Sequence, residues 1–395
     1  MTTIGYVETR FSYGDFSQSA WQTTERFRST SKWYLNDALK IEITPQVSIT
    51  QGRYNFGEYL NTIETPLQEQ LGVSLDQIIE DCDWELERER EINELSDLLT
   101  LPRLFLDIQT EKFDLRVGKQ ALNWGAGQFF NPTNILNENL LATPWQERAG
   151  LYAVKTTIPL PKEQEIRFIA SSQELSSEEI FLTGMYRINI NNIDISFVSS
   201  SNFQESMLGA NVKGDAGVGY WLESAYSFDD SIADGMIEIT TGMDYSFALR
   251  HGLILSSQIF YDSSGETAPK YYDWKARQPL EFFLPSCAEY PNLYQAPPKE
   301  IRQTLGRLYN LSSARLLWNE HWSMQLFSLL NLNDQTGFIY PNAHILLGSH
   351  WQFSSGVQFL IGKDGEFVPN IDSLPLNTDE LIPHWTSISW LRYSF

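Results

Sequence analysis

Trp385-Thr-Ser-Ile-Ser-Trp-Leu-Arg-Tyr-Ser-Phe395 is the stretch that decides the fold class of this chain. Leu391, Tyr393 and Phe395 alternate with Arg392 and Ser394. Because successive side chains of a β-strand point to opposite faces, this alternation predicts a strand with one apolar face. A strand that spans a membrane in a closed barrel has such an apolar outer face and an aromatic residue at the interface. A soluble β-protein that ends on Phe is the alternative, and the rest of the chain decides between them.

The same alternation recurs along nearly the whole chain. It is clear in residues 237–249 and 351–361, where apolar and polar residues follow each other in turn. Short turns separate some of these segments, and long connections separate the others. The longest connections span residues 57–100, 125–147, 263–302 and 363–384. Short turns at one end and long loops at the other are typical of outer-membrane barrels.

These patterns predict one all-β domain over residues 1–395, a transmembrane antiparallel β-barrel of about 18 strands, with 14 or 16 as alternatives. The count requires a turn at Thr44-Pro45 between strands at 33–43 and 45–56. No run of about 18 apolar residues occurs, so no transmembrane helix is expected. A capping box at Ser74 and Gln77, followed by apolar residues at helical spacing, predicts one loop helix near 74–99.

The terminal Phe395, preceded by alternating apolar residues, resembles the C-terminal signal that the bacterial outer-membrane assembly machinery reads. The resemblance implies that Leu391, Tyr393 and Phe395 form an assembly signal. It also implies a Gram-negative outer membrane, with its lipid, its lipopolysaccharide and the barrel assembly machinery as partners. No secretory signal peptide is visible after Met1, so we expect the numbering to be that of a mature chain.

A second motif runs from a predicted strand into a loop: Leu115-Arg-Val-Gly118-Lys-Gln120-Ala-Leu-Asn-Trp124-Gly125, then Phe130-Asn131-Pro132-Thr-Asn134. It resembles the pattern R-x-G-[RK]-Q-x-x-x-W-G…N-P-x-[DN] of alginate-export-like and related outer-membrane porins. The resemblance implies an outer-membrane channel and carries over no substrate. The net charge of −22 departs from the strongly basic lumen that suits a polyanion. The motif either fixes an inward-folded loop or contacts solutes directly.

Two sets of residues are candidates for the pore. Trp124, Asn131 and Asn134 in the motif, and Tyr271 and Trp274 in the aromatic segment 263–302, are candidates for a constriction or plug loop. A charge costs about 2–4 kcal/mol against the lipid midplane, so charged residues of spanning strands should face inward. Strand parity places these candidates on the lumen side: Asp114, Arg116, Arg187, Glu223, Glu238, Asp244 and Arg392. In the alternative, these charges pair with one another and fill the interior.

The remaining chemistry is sparse. Cys82 and Cys287 lie in two predicted external loops, where a disulfide is compatible with an oxidising envelope. The acidic segment 80–97 suits surface Ca²⁺ or Mg²⁺, but it lacks a calcium-loop motif, and no other cofactor is expected. The five histidines form no catalytic motif, so no enzyme is expected; a rim enzyme would need His321, His344 or His384.

The sequence therefore predicts an outer-membrane channel for small polar solutes or ions. The alternative is a non-conducting structural or assembly subunit with a plugged barrel, whose loops 57–100 and 263–302 dock a protein partner. Nucleic acid is excluded as a partner, because its binding needs basic patches and this chain carries a net charge of −22.

Overall fold

The computed structural model describes residues 2–14, 20–55, 77, 89–94, 99–134, 150–172, 180–202, 205–229, 235–249, 251–269, 305–363, 365–367 and 385–395. These residues form a single β-sheet of 19 strand segments. The strands are β1 (Thr2–Gly14), β2 (Ala20–Asn36), β3 (Leu39–Asn55), β4 (Glu89–Glu94), β5 (Leu99–Gln109), β6 (Asp114–Gln120), β7 (Leu151–Leu160), β8 (Gln164–Ser172), β9 (Phe181–Ile190), β10 (Ile193–Ser201), β11 (Glu205–Asp215), β12 (Gly219–Asp229), β13 (Met236–Phe247), β14 (Leu253–Asp262), β15 (Leu308–Leu317), β16 (Trp322–Asn331), β17 (Gly337–Leu347), β18 (Trp351–Ile361) and β19 (Trp385–Ser394).

The sheet closes on itself. Each strand pairs antiparallel with its neighbours, and β1 pairs with β19 from Tyr6 opposite Ser394 to Gly14 opposite Thr386. Segments β4 and β5 both pair with β3, at its two ends, and so share one position in the wall. The protein is therefore a closed 18-strand antiparallel barrel, which confirms the predicted fold class and strand number.

The predicted turn at Thr44-Pro45 is wrong. The chain turns at Asp37-Ala38 instead, between β2 and β3, and β3 continues through Pro45. The register of β3 against β5 shifts between Thr44 and Gln46. A bulge at this point accommodates the proline, which cannot donate a ladder hydrogen bond. The correct strand number thus arises from a longer β2, which begins at Ala20.

The predicted loop helix near 74–99 is wrong over residues 89–94 and at Leu99. Gln77 is helical, but residues 89–94 form strand β4, and β5 begins at Leu99. The other residues of the predicted helix lie outside the described part of the chain. The predicted loop 57–100 accordingly contains one strand segment and overlaps the start of another. No helix among the described residues is long and apolar enough to cross a membrane.

The outer and inner faces of the wall differ in polarity. On β12, Leu222 is 51% exposed on the outer face, whereas Glu223, the next residue, is fully buried on the inner face. Aromatic side chains gather on the outer face at the short-turn end, where Trp351 contacts Tyr393 at 4.9 Å between ring centroids. Such aromatic side chains are typical of the membrane interface of a barrel.

Two apolar clusters lie inside the barrel. The first consists of Leu122, Trp124, Leu151, Ala153, Ile169, Met185, Val198, Met207 and Ala225. The second consists of Phe130, Phe260, Tyr309, Leu311, Phe327, Leu329, Phe338, Tyr340 and Ile388. The segment that follows β6 contributes to both clusters and therefore crosses the interior between them.

Candidate functional site

Residues 121–134 form a loop that folds into the barrel, and we call it the inner loop. Its path begins on β6, where Gly118 has φ +126° and an added Cβ would lie 2.2 Å from the carbonyl oxygen of Leu104. Gly125 has φ +97°, in the region that favours glycine. An added Cβ there would lie 2.7 Å from Oδ1 of Asn131. Gly118 allows β6 to lie close to the backbone of Leu104, and Gly125 allows the chain to turn tightly inside the lumen.

Glu223 on β12 holds the inner loop. Its Oε2 accepts hydrogen bonds from the backbone amides of Ala126 (2.5 Å) and Gly127 (3.2 Å). Its Oε1 accepts from the amide of Thr133 (2.8 Å) and from Oγ1 of the same residue (2.7 Å). Four donors from one loop converge on this carboxylate, which is fully buried. Hydrogen bonds to an ionised acceptor are stronger than neutral ones, so this carboxylate fixes the loop firmly.

Gln258 on β14 makes a second attachment. Its Oε1 accepts from the amides of Gln128 (3.0 Å) and Phe129 (3.3 Å), and its Nε2 donates to the carbonyl oxygen of Phe130 (2.9 Å). The ring of Phe130 stacks on Phe260 with 4.2 Å between centroids and 5° between planes. We call Glu223 and Gln258, with the loop residues 126–133 that they bind, the loop anchor.

The motif residues predicted to form a constriction belong to the inner loop. Trp124 is buried and donates from Nε1 to the carbonyl oxygen of Thr133 at 2.7 Å. Asn131 and Asn134 are also buried, and the amide of Asn134 donates to the carbonyl oxygen of Asn131 at 2.9 Å. These side chains stabilise the loop from within, and their role in a constriction stays a prediction. Tyr271 and Trp274 lie outside the described residues.

The inward face of the wall carries all seven charged candidates. The register places each of them on the same face as buried Glu223, opposite the exposed apolar residues: Asp114, Arg116, Arg187, Glu223, Glu238, Asp244 and Arg392. They do not form one site. Glu223 lies beneath the inner loop, so its carboxylate does not face open lumen. The arginines lie on another part of the wall, among other cations.

This other part of the wall, from β19 through β1 to β9, forms what we call the charged arc. Four carboxylates, Glu8, Glu42, Asp107 and Glu165, each lie within ion-pair distance of two or more cations. The cations are Arg10, Arg26, Lys32, Lys40, Arg116, Arg167, Arg187 and Arg392. Cations thus outnumber carboxylates within these pairs by two to one.

Glu8 is the most enclosed carboxylate of the charged arc. It is 2% exposed, and its Oε2 accepts from Nε (2.9 Å) and Nη2 (2.5 Å) of Arg392 across the closure between β1 and β19. Arg10 lies 3.3 Å and Arg26 3.8 Å from its Oε1. The guanidinium of Arg392 also covers the ring of Tyr6 at 4.2 Å. Three guanidinium groups and one carboxylate leave a local excess of positive charge inside the barrel.

Sequence reasoning missed most of this arc. Arg26 and Arg28 face inward from β2, but their outward neighbours include Thr23, Glu25 and Ser29, so the strand shows little apolar alternation. A signal was available in the even spacing of Arg26, Arg28 and Lys32, which places three cations on one face of a strand. The nearby Pro45 and the polar composition of residues 20–32 concealed it.

The other predicted residues fall as follows. Leu391 and Phe395 are exposed on the outer face with Tyr393, and the backbone of Phe395 exchanges two hydrogen bonds with Gly5. A role in assembly stays a prediction. His344 faces inward beside Trp390, and His321 lies in a short turn. His384, Cys82 and Cys287 lie outside the described residues. Within the described ranges, no group of three or more His, Cys, Asp or Glu side chains could hold a metal ion.

Solved structures share this architecture. OccK5 (OpdH) of Pseudomonas aeruginosa matches with a TM-score of 0.55 at 8% identity, covering 100% of this chain and 98% of that one. OccK11 (OpdR) of the same species gives 0.53 at 10% identity, with 100% and 95% covered. OccK2 (OpdF), solved in complex with glucuronate, gives 0.52 at 8% identity, with 100% and 97% covered. The chain has the fold of the outer-membrane porins.

This porin-like fold rests on structure alone. No family model matches the chain, and no curated protein matches it. The narrower resemblance of residues 115–134 to alginate-export-like porins therefore stays a prediction. Within this porin-like barrel, much of the motif has a structural role: Arg116 binds Asp107, Gly118 allows close approach to Leu104, and Trp124 packs inside the barrel as part of the inner loop.

Proposed function

We propose that this protein is a channel of the bacterial outer membrane that passes small polar solutes or ions. The single observation that carries the proposal is the contrast between the two sides of the lumen. The inner loop is hydrogen-bonded to the wall at β12 and β14, whereas the charged arc holds its ionic side chains on the inward face. The side chain of Arg187, for example, is 42% exposed.

The charge distribution supports a polar passage. Ionic groups on one side of a narrow lumen create a transverse field, which favours polar solutes and disfavours apolar ones. Because cations outnumber carboxylates in the charged arc, we expect the passage to favour anions, in spite of the net charge of −22 of the whole chain. OccK2, which shares the fold, was solved with glucuronate, itself a small polar anion.

The test is a recording from the purified protein in a planar lipid bilayer. We expect discrete conductance steps and, in a salt gradient, a reversal potential that indicates a preference for anions. The preference should weaken at high ionic strength, because salt screens exposed charges. A correctly folded barrel that gives no conductance would contradict the proposal. It would favour the alternative of a non-conducting structural subunit, for which a co-purifying protein partner is the positive sign.

A further inference from the structure

A cavity of about 420 Å³ lies between the tip of the inner loop and the inward face of strands β15 to β19. Gln128 and Phe129 of the loop form one side, and we call it the loop-tip cavity. Its volume falls within the roughly 300–1,000 Å³ that is usual for small-molecule sites. It borders the charged arc at Trp390, whose ring lies 5.0 Å from the guanidinium of Arg392, and among the described residues no carboxylate lines it.

Aromatic rings supply part of the cavity lining. Phe129, Phe327, Tyr340 and Trp390 border it, and Phe129 lies 5.9 Å from Phe327 between ring centroids. His344, which also borders the cavity, lies 5.4 Å from Trp390 between ring centroids. A flat solute with apolar faces can stack against rings of this kind.

Among the polar side chains that line the cavity, six have no hydrogen-bond or ion-pair partner within the described residues. Ser313, Arg315, Ser323, Gln325, Asn342 and Ser354 border it. Within the part of the chain that the structure describes, none of the six makes a side-chain hydrogen bond or an ion pair. The register brings three of them into one row, because Gln325 lies opposite both Arg315 and Asn342 on its two neighbouring strands.

The side-chain amides of the cavity differ from that of the loop anchor. Both polar atoms of the Gln258 amide bond to protein partners, whereas the amides of Gln325 and Asn342 border an open cavity. Amides and hydroxyls both donate and accept hydrogen bonds, as do the hydroxyl groups of a solute. A simple anion such as chloride only accepts hydrogen bonds, so it would leave the acceptors of the serines and amides unused. A cation would meet Arg315 with no carboxylate to balance it.

We infer that the loop-tip cavity is a binding site for a neutral polyhydroxylated ring, the chemistry of a sugar or a cyclitol. The ring faces lie against Phe327 and Trp390, and the hydroxyl groups bond to Gln325, Asn342 and Arg315. The inference rests on the proposed channel function, because it names the class of solute that would bind transiently inside the channel.

The test uses glucose as the probe on the purified barrel. In single-channel recordings we expect glucose to interrupt the ion current in a concentration-dependent way. Q325A and W390A should each raise the dissociation constant about tenfold, the size expected when one good contact is lost. Q358A is the matched control, because Gln358 faces inward on β18 outside the cavity. It should leave the dissociation constant unchanged.

A second readout separates this inference from the channel proposal. Saturation-transfer NMR detects glucose on the detergent-solubilised barrel whether or not it conducts. Binding that is weakened by Q325A and W390A but not by Q358A supports the site even if no current flows. Conductance without glucose binding, binding of glucuronate in place of glucose, or an equal effect of Q358A would overturn it.

Discussion

Two buried carboxylates on the inward face of the same barrel have different partners. Glu223, fully buried, accepts four hydrogen bonds from backbone and hydroxyl groups of the inner loop. Glu8, 2% exposed, lies among the guanidinium groups of Arg10, Arg26 and Arg392. The first carboxylate fixes a segment of chain against the wall. The second holds the closure between β1 and β19, and its cations leave positive charge facing the lumen.

The difference shows that the burial of a charge does not by itself reveal its use. The carboxylate of Glu223 keeps its charge, but its acceptor positions are occupied by the inner loop, which covers it. A carboxylate outnumbered by arginines neutralises only part of their charge, so the surrounding lumen stays positive. We therefore propose that the loop anchor is a structural element and that the charged arc is the part of the wall that a solute meets.

The largest loss of stability should come from a change at Glu8, where β1 meets β19. Glu8→Gln leaves Arg10, Arg26 and Arg392 close together without their carboxylate, and breaking a buried pair in this way costs about 3–5 kcal/mol. We expect the free energy of unfolding in lipid vesicles, measured by urea titration, to fall by that amount. Glu111→Gln, in an exposed short turn, is the control and should change little. An equal loss in both variants would refute the special role of the closure.

Removal of the loop's acceptor should have the next largest effect. Glu223→Ala leaves four donors of the inner loop without their partner, but water reaches most of them once the loop is released, so we expect the free energy of unfolding to fall by about 1–3 kcal/mol, the cost of one unsatisfied group. A released loop should give a larger and noisier single-channel current. Asp244→Asn removes a charge from the neighbouring strand without touching the loop, and it should leave the current noise unchanged. Equal current noise in the two variants would show that Glu223 does not hold the inner loop in a way that other inward carboxylates do not.

A backbone change tests the same anchor without altering charge. Gly125→Ala forces a side chain into a positive-φ position, at a cost of about 1 kcal/mol or more. Its Cβ would also lie 2.9 Å from the carboxylate oxygens of Glu223. We expect current noise like that of Glu223→Ala, with a smaller loss of stability. Wild-type current from this variant would mean that the turn at Gly125 does not position the loop.

The smallest effect on stability should come from the exposed edge of the charged arc. Arg187→Gln removes a partly exposed cation whose ion pair contributes about 1 kcal/mol or less. The reversal potential in a salt gradient should nevertheless shift towards cation permeation. Lys162→Gln, in the exposed turn between β7 and β8, is the control. A shift of the same size in the control would assign ion preference to the barrel rim in place of the arc.

Much of the fold could be predicted from alternation alone. The face of Arg392 follows from its place between Leu391 and Tyr393, and parity alone assigns Glu238 and Asp244 to the inward face. Alternation failed on β2, where Thr23, Glu25 and Ser29 interrupt the outward row, and at Pro45, which β3 accommodates with a register shift. A pattern of apolar residues does not reveal a strand whose outer face is partly polar.

The contacts of the site could not be predicted in the same way. Parity placed Glu223 on the inward face, but its partners Ala126 and Thr133 lie 97 and 90 residues earlier in the chain. The motif around Trp124 indicated an inward-folded loop. Which strands of the wall the loop contacts could not be predicted, because this depends on how the barrel closes. Likewise, the partnership of Glu8 with Arg392 joins the two ends of the chain and exists only because the barrel closes.

Thiol accessibility during single-channel recording tests the account most directly, with Cys82 and Cys287 replaced by serine. A cysteine introduced at Arg187, in the charged arc, should react with a charged methanethiosulfonate reagent and change the current. A cysteine at Thr240, which is fully buried beside the loop anchor, should stay unreactive in the folded barrel. Equal reactivity at the two positions, or modification at 187 that leaves the current unchanged, would contradict the division between a sealed loop anchor and a solute-facing arc.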